Sequence, residues 1–142
     1  MSDFHNLTDD VLASPQITVA DVARAKTQGV TLIVNNRPEG ESADQTSGED
    51  IEKAAQAAGI NYVAIPVTHA GFSLPQIDAL SSALAANRGK TLAYCRSGTR
   101  STLLWALARA KAGDAPDAIA AAAAQAGYDV APVRPTMDML TG

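Results

Sequence analysis

Two stretches of this chain leave little freedom in how it can fold. VTLIVNN, from Val30, and INYVAIPV, from Ile60, are apolar at most positions and rich in β-branched residues. A strand covered on one face alternates apolar and polar residues, so a nearly unbroken apolar run predicts a strand buried on both faces. Helix-period segments surround these runs. TVADVARAKTQG opens with Thr18 and Asp21 at capping-box spacing and closes at Gly29. EDIEKAAQAAG stops at Gly59, and LPQIDALSSALAANRG follows a capping Ser73, with Pro75 early in the helix. KTLAYC is a further short strand, while TRSTLLWALARAKAG and APDAIAAAAAQAG form a closing helical pair. The first residues, FHNLTDDVLASPQI, are expected to add one or two edge strands. Alternation at this spacing predicts βαβ units. The expected architecture is a single three-layer α/β domain over residues 1–142, with a mostly parallel sheet of four to five strands and helices on both faces.

Composition narrows the function by exclusion. A formal net charge of −4 over 142 residues argues against a nucleic-acid or anionic-membrane surface. No apolar run approaches the roughly 20 residues that span a bilayer. The start, MSDFHNLTDD, is acidic and polar, so no signal peptide is expected. One cysteine cannot form an internal disulfide, which fits a reducing, cytoplasmic setting. One cysteine and two histidines argue against a zinc cluster, and no metal or organic cofactor is implied.

That cysteine, Cys95, stands in YCRSGTRS, at the end of a strand and just before a helix. In a parallel sheet the loops at the carboxyl ends of the strands form the ligand crevice. Backbone N–H groups from Arg96 to Arg100 can curl around a point above the sulfur, and Gly98 lets the chain turn without a Cβ penalty. Unpaired N–H groups at a helix N-terminus make an anion site, and the same field with two arginines favours thiolate over thiol. The expectation is a nucleophile on the floor of the loop with an anionic group above it. A merely structural buried cysteine would leave Arg96, Gly98 and Arg100 unexplained.

Cys95, four intervening residues, Arg100 and then Ser101 resemble the active-site loop of rhodanese-type sulfurtransferases. Together with TLIVNNRPEGES, YVAIPV and AGYDVAP, the chain also resembles a small bacterial family described as phosphatase-like. That family has a fold like the dual-specificity protein phosphatases, so the resemblance implies a protein-tyrosine-phosphatase-like sheet. It also occurs fused to metallo-β-lactamase-type hydrolases and persulfide dioxygenases. Tyrosine-phosphatase-type loops place five residues between Cys and Arg and usually His before the Cys. Here four residues separate Cys95 from Arg100, and Tyr94 takes the place of His. A narrower cradle favours a sulfane sulfur over a tetrahedral phosphate. The leading expectation is a sulfurtransferase in which Cys95 becomes a persulfide. Its donor would be thiosulfate or a glutathione persulfide, its acceptor an external thiol or other nucleophile, and a persulfide dioxygenase a working partner. The alternatives are a cysteine-based phosphatase acting on a phosphoester through a phosphocysteine, and a non-catalytic anion- or protein-binding module.

Cys95 and Arg100 are the expected catalytic pair, with Arg96, Ser97, Gly98, Thr99 and Ser101 lining the substrate. The resemblance supports a hydrogen bond from Ser101 to the thiolate; otherwise the serine occupies the first helical turn. Arg37 follows a strand at the same sheet edge and is expected to help bind an anion, or to be a loop charge paired with Glu39. Phosphatases of this architecture offer an aspartate after the next strand. None lies between Val63 and Ile77, so His69 is the candidate proton donor, with an ordinary surface histidine as the alternative. His5 and Asp78 read as exposed or structural residues, and Trp105 as core at helical spacing.

Overall fold

A computed structural model describes residues 3–141. The strands are β1 (His5–Asn6), β2 (Val11–Ser14), β3 (Val30–Asn35), β4 (Asn61–Ala64) and β5 (Lys90–Tyr94). The helices are α1 (Val19–Thr27), α2 (Gly48–Ala57), α3 (Leu74–Ala86), α4 (Thr99–Lys111), α5 (Pro116–Gln125) and α6 (Arg134–Thr141), the last preceded by a 3₁₀ turn at Ala131–Val133. The sheet order is β1-β2-β5-β3-β4, with β1 antiparallel and the other strands parallel. Thr18 and Asp21 form the expected capping box of α1, and Ser73 forms another with Gln76 at α3.

Two apolar clusters separate the three layers. Val22 and Ala25 of α1 and Ile51 and Ala55 of α2 pack with Ile33, Leu92 and Tyr94 on one face. Val34 and Ala93 meet residues of α3, α4, α5 and α6 on the other. A bulge between Val30 and Leu32 resets the phase of β3 and leaves Thr31 exposed, where its hydroxyl reaches Asn87. Nine of the thirteen residues of α4 are buried, because α3, α5 and α6 wrap it against the sheet.

Three sequence expectations change. β4 is an edge strand, half exposed rather than buried on both faces; the apolar residues that suggested burial, Ile60, Ile65 and Val67, flank it and enter the core. β2 is interior, because β1 folds back to occupy the edge beyond it. The chain closes on α6 rather than on a helical pair, and Met137 of α6 is fully buried. Among the described residues no helix is long and apolar enough to cross a membrane.

Candidate active site

Ser14, Tyr94, Asn35 and Ala64 lie in register across the carboxyl ends of the parallel strands. From this row β3 leads to α2 on one face, while β5 leads to α4 on the other. A crevice opens where neighbouring strands part in this way. Cys95 sits in it, fully buried, directly after β5. Its backbone N–H donates to the Ser14 carbonyl at 3.3 Å, which anchors the loop to β2. Three residues on, the Gly98 N–H donates to Cys95 Sγ at 3.1 Å. Gly98 is the N-cap of α4 with φ 92°, a left-handed conformation that suits glycine. Its carbonyl accepts from the Thr102 N–H at 3.0 Å and the Thr102 hydroxyl at 2.9 Å, which fixes the first turn. The N-terminus of α4, capped by the buried Gly98, thus faces the sulfur, and its field favours negative charge there.

Arg100 is braced from behind. Its Nη1 and Nη2 donate to the two carboxylate oxygens of Glu41 at 2.7 and 2.8 Å, and Nη1 also donates to the Val67 carbonyl at 2.7 Å. Glu41 is shared with Arg37, whose Nε donates to it at 2.9 Å. The hydrogen bond from Arg100, helped by Arg37, holds the Glu41 carboxyl at about 2 against an ordinary 4.5. Arg100 in turn holds its proton more tightly than usual, chiefly through Glu41, and the Cys95 sulfur adds to the effect. One carboxylate between two guanidiniums leaves the cluster net positive. The end of the Arg100 fork is committed to protein oxygens. Its Nε–H and second Nη2–H have no protein oxygen partner among the described residues, and this edge suits a bidentate oxyanion.

The remaining sequence candidates fall into distinct roles. Arg96, on the loop, and Thr99, at the start of α4, are exposed, and the Arg96 carbonyl accepts from the Gln16 N–H at 3.3 Å. Ser97 Oγ accepts from the Thr99 N–H at 3.3 Å. Ser101 is buried, but its hydroxyl has no hydrogen-bond partner among the described residues, so the implied bond to sulfur is not formed. Arg37 is 4% exposed and gives its nitrogens to Glu41, Gln16 and Ser42, so its immediate part is to hold Glu41. Its expected partner Glu39 instead caps α2 by accepting from the Gly48 N–H at 3.0 and 3.1 Å. His69 is exposed, two residues beyond the Val67 that receives Arg100. Asp78 pairs with Lys111, and Trp105 is core. Tyr94 faces the α1/α2 side, and burial pushes its hydroxyl well above the usual range.

Sequence reasoning passed over two residues. Glu41 stands two positions from Glu39 in a polar loop, and no periodicity distinguishes them; only its spacing of four from Arg37 hints at a pair. Tyr128, in AGYDVAP, brings its hydroxyl to the Ser97 carbonyl at 3.2 Å. Burial, then the nearby Cys95, pushes that phenol up to about 12.

A buried cysteine at a strand end, a helix N-terminus behind it and a braced arginine place the chain in the cysteine-loop, phosphatase-like class of α/β proteins. Comparisons agree. The family described as "Beta-lactamase hydrolase-like protein, phosphatase-like domain" matches residues 3–112, and the chain belongs to that family. A beta-lactamase hydrolase-like protein of Agrobacterium fabrum is 35% identical over 98 residues, 69% of this chain and 23% of that one. One from Xylella fastidiosa is 36% identical over 80 residues, 56% of this chain and 19% of that one. The chain therefore spans about a fifth of the length of the curated relatives it matches. A Neisseria meningitidis protein with a provisional phosphatase name superposes with a TM-score of 0.86 at 29% identity, covering 99% of both chains. Tk-PTP in its active form has the same fold, with a TM-score of 0.75 at 14% identity over 98% of this chain and 96% of that one.

Proposed function

We propose that this domain is a cysteine-dependent phosphatase acting on phosphoesters with good leaving groups. The observation that carries the reading is Arg100 beside the Cys95 sulfur, held in place by Glu41 behind it. The phosphatase-like family and fold support it. Cys95 sulfur attacks phosphorus, the S–P bond forms, and the P–O bond to the leaving group breaks. Loop N–H groups and Arg100 hold the phosphoryl oxygens. Water then attacks phosphorus, breaks the S–P bond, and returns phosphate and the thiolate. The departing oxygen needs a proton unless it is a stable anion. Residues 64–76 hold no carboxylic acid, and His69 is the ionisable side chain among them. Aryl phosphates are accordingly the expected substrate class.

A second reading, sulfur transfer, draws on the four residues between Cys95 and Arg100, which narrow the cradle. Cys95 sulfur would attack the sulfane sulfur of thiosulfate, forming a persulfide as the S–S bond to sulfite breaks. An external thiol or cyanide would then take the sulfur, because the chain has no second cysteine. A glutathione persulfide is the alternative donor, and a persulfide dioxygenase the partner this reading favours.

One experiment separates the readings. Phosphate release from nitrophenyl phosphate and thiocyanate formation from thiosulfate and cyanide are measured on the protein and on Cys95→Ser. Phosphate release that is the faster of the two and vanishes in Cys95→Ser supports the phosphatase. Faster thiocyanate formation, lost in the same variant, overturns it in favour of sulfur transfer. Neither product would leave a binding module.

A further inference from the structure

The peptide that aims an N–H at Cys95 is held from its other side. No cis peptide occurs among the described residues, so the carbonyl and N–H of the Ser97–Gly98 peptide point in opposite directions. The N–H lies 3.1 Å from Cys95 Sγ, and the carbonyl accepts from the Tyr128 hydroxyl at 3.2 Å. A single peptide therefore bridges Tyr128 and the nucleophile.

Gly98 makes that bridge consequential. Lacking a Cβ, it offers little local resistance to a peptide rotation that would turn the Ser97 carbonyl toward the sulfur. Such a rotation would set a partial negative charge against the thiolate. Tyr128 opposes it twice. Its hydroxyl holds the carbonyl, and its ring fills the space beside Gly98, where an added Cβ would strike the hydroxyl and lie 2.8 Å from Cζ. A hydrogen bond donated to the carbonyl also polarises the peptide and strengthens its N–H as a donor.

Local structure seats Tyr128 firmly. The alanine-rich α5 ends in a Schellman motif: Gly127, at φ 96°, donates to the Ala124 carbonyl, and the Tyr128 N–H donates to Ala123 at 2.9 Å. The His5 ring meets the Tyr128 ring edge-on, with centroids 5.7 Å apart. Tyr128 lies beyond the residues 3–112 that match the family, so this clamp reaches the loop from outside the matched segment.

The geometry points to Tyr128 as a positioning residue: its hydroxyl keeps the Ser97–Gly98 N–H turned toward Cys95, and so sets both the reactivity of the sulfur and the grip of the loop on an anion. The inference rests on the reading of Cys95 as the nucleophile, but its main test needs no substrate. Tyr128→Phe keeps the ring and removes the donor. Alkylation of Cys95 by iodoacetamide at neutral pH should slow about tenfold, the scale of one weakened hydrogen bond to a charged group. Orthovanadate should bind more weakly, and the melting temperature should stay close to that of the natural protein. 4-Aminophenylalanine at position 128 restores a donor and should recover the alkylation rate. Natural alkylation in Tyr128→Phe, or equal slowing in the phenylalanine and aminophenylalanine proteins, overturns the inference. If alkylation responds as expected but the natural protein binds no vanadate and releases no phosphate, the phosphatase reading fails and the positioning role stands. Loss of turnover in Cys95→Ser beside unchanged alkylation in Tyr128→Phe does the opposite: the positioning role fails and the phosphatase reading stands.

Discussion

Arg100 reaches this edge of the sheet from the first turn of α4 and His69 from the loop after β4, and they are prepared very differently. Arg100 has three hydrogen bonds to protein oxygens, a carboxylate aligned behind it and a second guanidinium behind that. His69 is exposed and follows an edge strand. Arg100 is fixed by the fold, whereas His69, the candidate proton donor, is a surface side chain. A fixed dipole or fork needs no reorganisation when charge develops, so it stabilises that charge more than a mobile one does. Such a site suits reactions limited by charge stabilisation rather than by protonation of a poor leaving group.

The most damaging test of this contrast is Arg100→Lys. Lysine keeps the positive charge but cannot hold Glu41 through two nitrogens while presenting a second edge to an anion. Turnover should fall about a hundredfold, the scale seen when an oriented oxyanion donor is lost. Activity equal to the natural protein in a steady-state assay would show that charge alone suffices and that the brace is incidental.

Glu41→Gln attacks the brace itself and should cost about tenfold in turnover, as expected for loss of a hydrogen bond between charged groups. It carries a pH signature as well. The Glu41 carboxyl is held at about 2, so its stabilising contribution is fully present above the ordinary 4.5 and is lost as the pH falls toward 2. Denaturant melts between those values should therefore decline more steeply for the natural protein than for Glu41→Gln. Parallel declines would mean that the ion cluster adds nothing to stability.

The smallest effect is expected at His69. With nitrophenyl phosphate, whose leaving group departs as a stable anion, His69→Ala should change kcat by no more than about threefold, well below the range for a full general acid. With an alkyl phosphate the loss should be larger if His69 donates the proton. Identical ratios for the two substrates would remove His69 from the chemistry.

How much of this was legible in the sequence differs from one part to the next. The apolar run of β3, the capping-box spacing at Thr18 and the capping Ser73 announce their elements, because burial on both faces and capping are decided within a few residues. APVRPTMDML, which carries Pro132 and Pro135, was not expected to form α6. Each proline sits near the start of its helical turn, where a missing N–H costs little. The apolar character of INYVAIPV overstated β4, because the residues flanking the strand, and not the strand itself, enter the core.

The sequence by itself determined that a lone cysteine follows a parallel strand, enters a glycine-containing turn and faces a helix N-terminus. Those relations span six residues and follow from backbone propensity and burial pattern. Tertiary structure alone decided which groups make that loop a site. Glu41 meets Arg100 across 59 residues of sequence, and Tyr128 meets Ser97 across 31. Such partners are chosen by how separate helices and loops pack at the edge of the sheet. Glu39 and Glu41 have the same local chemistry, yet one caps a helix and the other aims an arginine.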